Sequence, residues 1–257
     1  MNILLLKLVL TPALIGLVSL AGRRWGHAIS GWIVALPLTS GPIIFFLALT
    51  HGEAFAADTA AGILAGGLSL AAFTVTYGRL ALRWKWPSTL AVSTAAFLLM
   101  TVALRPVHLP LVLLWVAVLA ALAVSIRLLP RGLDRRGSAD TLPGNWDIPL
   151  RMLIATGFVL AITALAPAVG PHLAGLLAPF PFFTAILAAF AQHQHGAAAA
   201  VDVLHGLLLG LFSFAGFMFM LALLLIPAGI PAAFAAAILV VMLFQGASLR
   251  LLRRRIE

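Results

Sequence analysis

The chain has 257 residues, 63% of them hydrophobic and 9% charged, with a formal net charge of +9 and no cysteine. So few charged groups cannot form the polar shell of a water-soluble domain, which excludes soluble enzymes and nucleic-acid-binding modules and selects an integral membrane protein. The lack of cysteine excludes disulfides, thiol chemistry and cysteine-ligated metal or iron–sulfur centres.

The apolar runs are long rather than alternating, and this selects an all-α polytopic fold over a β-barrel, since each span must satisfy its own backbone. Nine stretches of about 18 to 22 residues are each long enough to cross a hydrocarbon core of roughly 30 Å. The first, Asn2 to Ala21, lacks the basic start and cleavage site of a signal peptide and is expected to persist as a helix. The second, Ala28 to Thr50, carries Pro37, Thr39, Ser40, Gly41 and Pro42 near its middle. The third, Ala56 to Tyr77, opens with Asp58, seven residues after His51, and presents Gly62, Gly66 and Ser69 at helical spacing. Such a stripe admits the backbone of another helix, here expected to be the second or seventh span.

The fourth span, Pro87 to Leu104, and the fifth, Leu109 to Ile126, are divided by the proline-bearing segment from Arg105 to Pro110. The loop from Arg127 to Asp147 reads as a flexible tether. The sixth span is Met152 to Pro167, and the seventh, His172 to Ala191, carries Pro179, Pro181 and Thr184. Gln192, His193, Gln194 and His195 then read as a solvated loop. The eighth span, Val201 to Leu225, opens with Asp202 and His205, and the ninth runs from Ile230 to Ser248.

An offset of 144 residues relates the two halves without a gap. Between Gly26 and Phe73, 15 of 48 positions are identical to those between Gly170 and Phe217, against roughly 5 expected for an Ala- and Leu-rich chain. The shared residues include His51 and His195, Gly52 and Gly196, Asp58 and Asp202, Gly62 and Gly206, and Ser69 and Ser213. Pro87 maps onto Pro231 and Lys7 onto Arg151 under the same offset, so each repeat covers four spans and the fifth is unpaired. An unpaired helix between two four-helix copies inverts the second. The predicted organisation is residues 1–108 as the first repeat, 109–148 as linker helix and loop, and 149–257 as the second, inverted repeat.

With the N-terminus outside and the C-terminus cytoplasmic, 14 of the 16 basic residues fall on the cytoplasmic side, as the positive-inside rule requires. Trp25, Trp84, Trp86 and Trp146 lie beside those basic clusters as interfacial anchors. The expected location is the bacterial cytoplasmic membrane.

The run Ala174-Gly175-Leu176-Leu177-Ala178-Pro179-Phe180-Pro181-Phe182-Phe183, followed by His195-Gly196 and a glycine-spaced helix with Asp202, resembles the small bacterial GlpM-like inner-membrane proteins. Those are about one repeat long, so the chain resembles two such halves fused through a linker helix. The resemblance covers the second and third helices of each repeat. The first copy departs from it, with Leu36-Pro37-Leu38-Thr39-Ser40-Gly41-Pro42 in place of the Pro-Phe-Pro run. It implies a membrane fold and a link to exopolysaccharide production, and no reaction.

Proline removes an N–H and clashes with the carbonyl one turn back, so both proline-bearing spans expose carbonyls near the bilayer centre. Pro37, Thr39, Ser40 and Gly41 with Pro179, Pro181 and Thr184 are the expected substrate-binding groups. The competing reading is an ordinary kink with a hydroxyl bonded back to its own helix. Asp58, Asp202, His51, His195 and His205 are the candidate proton-coupling groups, against the alternative that the two acids cap helix N-termini. His193 and His195 diverge on a helix and complete no ligand set, so neither a metal nor a cofactor is expected. No phosphate-binding loop or catalytic motif occurs.

The expected function is a secondary transporter or exporter of a small solute, not an enzyme, working at the midplane between inverted repeats and proton-coupled. The alternative is a non-transporting scaffold or accessory protein for envelope or exopolysaccharide synthesis. The expected partners are the lipid bilayer and a small-molecule or ion substrate, with no nucleic acid. A homo-oligomer is left open.

Overall fold

The computed structural model describes residues 36–37, 40–130 and 147–256, with residue 9 and residues 12–13 before them. Most of the first span, the first part of the second, Thr39 and the tether from 131 to 146 lie outside the described residues. The described chain is helical and contains no strand. Its helices are α1 (Ser40–His51), α2 (Glu53–Leu80), α3 (Trp86–Leu104), α4 (Leu111–Leu128), α5 (Asp147–Val169), α6 (Pro171–Leu177), α7 (Phe182–His195) and α8 (Ala197–Ile256). Four are long and apolar enough to cross a membrane: α2, α3, α4 and the Ala197–Gly246 part of α8.

α8 is not a single rod. Gly229 has φ 75° and ψ 171°, between Pro227 and Pro231, in a conformation no helix interior adopts. Ser213 and Gln245 are hydrogen-bonded across 32 residues, which a straight helix would hold about 48 Å apart. The legs 197–228 and 230–256 therefore fold back on each other. α2 and α3 form the matching pair in the first half, where the Thr101 hydroxyl donates to Ser69 Oγ at 2.9 Å, again across 32 residues. Adding 144 to Ser69 and Thr101 gives Ser213 and Gln245, so the cross-helix bond recurs although its second partner has changed from Thr to Gln.

Contacts near the helix ends sort the bundle into a basic end and an opposite end. At the basic end, Arg79 Nε donates to the Leu128 carbonyl at 3.3 Å, and Gln192 Nε2 donates to the Ala81 and Trp84 carbonyls at 3.2 and 2.8 Å. The His193 ring meets Trp86 edge-on at 6.2 Å. The opposite end holds the turn at Gly229, where an added Cβ would stand 3.5 Å from the Glu53 carboxylate, and the His108 and His172 rings, 4.9 Å apart.

Helix directions follow from these contacts. α1 runs to the Glu53 end and α2 leaves from it, joined through Gly52 at φ 89°. α7 runs to the basic end and α8 leaves from it, joined through Gly196 at φ 83°. A side chain would be strained at either link, since both require a φ that L residues rarely adopt.

Among the described residues the most extensive helix contact is that of α2 with α8, and the core lies there. Ile63 and Phe73 of α2 and Leu204, Leu208 and Met218 of α8 are buried in one core cluster. α4 packs along the same seam and touches both helices. Its Val118 and Leu122 are buried, its Trp115 stacks on Phe219 at 4.8 Å, and Gly67 of α2 lies against Val118. The helix predicted to have no partner in the duplication thus seats across both halves.

Candidate functional site

The seventh predicted span is two helices, α6 and α7, interrupted over Ala178 to Pro181. Pro179 and Pro181 supply no N–H. Around them the Ala178 N–H reaches the Ala174 and Gly175 carbonyls, the Phe180 N–H the Leu177 carbonyl at 3.1 Å, and the Ala185 N–H the Pro181 carbonyl at 2.7 Å. The Phe180 bond is one residue shorter than the α-helical pattern, so the Leu176 carbonyl loses its usual donor. The break sits against Gly66, half-way along the 28 residues of α2, where an added Cβ would run into the Pro179 ring and stand 3.0 Å from the Leu176 oxygen. It is therefore at mid-depth in the bundle.

The glycine stripe is what admits α6 to this position. A Cβ on Gly62 would lie 2.6 Å from the His172 carbonyl oxygen and 3.0 Å from Gly175 Cα, and one on Gly175 would run into the Thr59 carbonyl. Backbone meets backbone here, as the spacing of Gly62 and Gly66 predicts.

In the first half, Ser40 and Gly41 open α1 as buried residues and the Gly41 N–H donates to the Pro37 carbonyl at 2.8 Å. Gly41 faces the Phe217 ring of α8, 3.7 Å from an added Cβ. Thr184 is likewise buried, at the start of α7. α1 packs on α2 and α5, α7 on α8 and α3, and α1 and α7 share no extensive contact among the described residues. The Ala178–Pro181 interruption lies against α2 at Gly66, and Gly41 lies against α8 at Phe217.

The capping alternative for the two acids is corrected. Asp58 is the sixth residue of α2 and Asp202 the sixth of α8, so each lies beyond the first turn whose free N–H groups a cap serves. The residues before the helices are Gly52 and Gly196. Asp58 is exposed and Asp202 half-buried. His51 is exposed, within 2.7 Å of Thr50 Oγ1 and against the Phe55 ring, while His195 is half-buried. His205 Nδ1 is 3.2 Å from the Val201 carbonyl, one turn back on its own helix.

One turn along α2 from Asp58, Gly62 meets a residue the sequence did not suggest, His172, through its backbone carbonyl. His172 stands at the start of α6. Its ring lies 4.9 Å from that of His108. The duplication gave no signal for this group, since the counterpart of His172 is Ala28.

The solvated-loop reading of Gln192 to His195 is corrected too. These residues form the last turn of α7, and Gln192 caps carbonyls at the end of α2, which a solvated loop would leave to water. The buried Ser69–Thr101 and Ser213–Gln245 pairs were also missed. Thr101 and Gln245 differ in type, so only the recurring helix register could have indicated them. Among the described residues no three His, Asp or Glu side chains lie close enough to hold a metal ion. Compared with models of known protein families, with curated proteins and with solved structures, the chain matches none.

Proposed function

We propose that the chain is a secondary transporter of a small solute, built from two inverted four-helix repeats around the α2–α8 pair and lying in the bacterial cytoplasmic membrane with its basic end inside. The observation that carries this reading is the interruption of α6 and α7 at mid-depth. Backbone carbonyls freed at that level are tolerated only where protein or a water-filled path covers them, and broken helices at the midplane are where transporters with repeated halves bind their substrates.

The opposed directions of the equivalent helices α1 and α7 support the inverted arrangement. Asp58 and Asp202, at matched positions near opposite ends of the pair, are the proposed proton-exchanging groups, with His172 as the neighbour of Asp58.

Reconstituted protein under an imposed proton gradient tests this. We expect gradient-dependent flux of a solute from a candidate panel, falling at least tenfold in both Asp58→Asn and Asp202→Asn. Flux unchanged in both variants would refute the coupling, and absence of flux for every solute would refute transport.

A further inference from the structure

We propose that the crevice between α3 and α7 binds a single-chain amphiphile with an anionic headgroup, the chain lying in the crevice and the headgroup at its basic mouth.

The crevice has a volume of about 310 Å³, and its lining is almost wholly apolar, including Trp86, Leu90, Thr94, Phe180, Ala189 and Phe190. Trp86 and Phe190 are exposed, so the crevice opens on the bundle surface that would face lipid. It begins at Trp86, in the first turn of α3, and ends at Phe180, inside the mid-depth break, where Phe180 meets Phe97 edge-on at 5.2 Å. From Trp86 to Phe97 is about 16 Å along the helix, roughly half of a 30 Å hydrocarbon core. That is the reach of one acyl chain in one leaflet.

The mouth supplies the charge. Arg83, Trp84 and Lys85 immediately precede Trp86 and are exposed, and His193 lies against the Trp86 ring. No acid occurs between Arg79 and Trp86. Basic side chains beside an interfacial tryptophan attract anionic headgroups at the level where a chain would enter.

The duplicated half shows that the opening is not a by-product of how these helices pair. Adding 144 to Leu90 gives Phe234, and subtracting 144 from Ala189 gives Phe45. Phe45 and Phe234 meet edge-on at 5.7 Å, and Phe234 also meets Phe217 at 6.1 Å, so the equivalent place between α1 and the second leg of α8 is filled by rings. At that end the nearby charge is Glu53. One copy is plugged and acidic at its mouth. The other is open and basic.

This names a solute class for the transport reading and rests on that reading for flux, while binding stands on the crevice itself. The test is native mass spectrometry of the intact, detergent-solubilised chain titrated with lysophosphatidylglycerol, and with lysophosphatidylcholine of the same chain length. One bound equivalent is expected, with at least a tenfold preference for the anionic headgroup. Leu90→Phe with Ala189→Phe, which installs the plug of the sister site, should weaken binding at least tenfold. Thr94→Trp, which fills the crevice from the lipid-facing side of α3, should do the same if the double variant fails to fold. Arg83→Gln with Lys85→Gln should erase the headgroup preference.

Equal binding of both headgroups by the unaltered protein, or plugged variants that bind within twofold of it, would overturn the proposal. So would a crevice that proves to join two copies, seen as a dimer lost on plugging with no amphiphile bound. Binding that follows the expected pattern without flux of the amphiphile in proteoliposomes would uphold the site and count against transport. Flux of an unrelated solute, with no amphiphile bound, would uphold transport and remove the site.

Discussion

Gly62 and Gly175 set how closely α2 and α6 approach. In each case the first obstacle to a Cβ is a backbone atom, of His172 or Thr59, which cannot rotate away as a side chain could. Gly67 is the contrast, since a Cβ there would meet only the Val118 side chain, at 3.3 Å. Gly62→Ala and Gly175→Ala should each destabilise the protein by about 1–3 kcal/mol, the usual range for overpacking a tight core, and Gly67→Ala by much less. Thermal unfolding in one detergent checks this, and equal melting temperatures for the three variants would contradict it. The same residues show why much of the core was legible. A glycine every fourth residue reports a close approach directly, whereas Asp58 and His172 come together from distant segments with no periodicity to betray them.

At the scale of helices, the sequence located α2, α3, α4 and the turn within α8 to within a few residues, because long apolar runs punctuated by Pro, Gly and charge leave little freedom in where a span ends. The break between α6 and α7 was legible from Pro179 and Pro181 for the same reason. What the breaks face was not legible. Sequence symmetry gave no sign that Pro179 would lie against Gly66 of α2 and Gly41 against Phe217 of α8. The last turn of α7 was misread as a loop because Gln and His are polar, although Gln192 spends that polarity on the carbonyls of Ala81 and Trp84. Replacing both prolines, as Pro179→Ala with Pro181→Ala, restores two N–H donors and should let α6 and α7 join into one helix. The expected result is a melting temperature no lower than that of the unaltered protein with at least a tenfold loss of flux. Unchanged flux would show that the interruption serves no transport step.

For the whole molecule, the central proposal is that one four-helix unit occurs twice, pointing in opposite directions across the bilayer. The recurring Ser69–Thr101 and Ser213–Gln245 bonds, the paired turns at Gly52 and Gly196, and the placement of α4 along the α2–α8 seam are all explained by that single arrangement. Asp58 and Asp202 fall at opposite ends in the same way, Asp202 with Arg79, Arg83, Lys85 and Arg127 and Asp58 with Glu53 and Arg105. The chain has no cysteine, so single substitutions report cleanly on sidedness. Ala54 and Ala198 are equivalent under the offset of 144 and follow the turns at Gly52 and Gly196. With Ser88, exposed in the first turn of α3, marking the basic end, a membrane-impermeant maleimide applied to intact cells should label Ala54→Cys and leave Ala198→Cys and Ser88→Cys unlabelled until the membrane is opened. Labelling of Ala54→Cys and Ala198→Cys from the same side would contradict the opposed repeats and the path built on them.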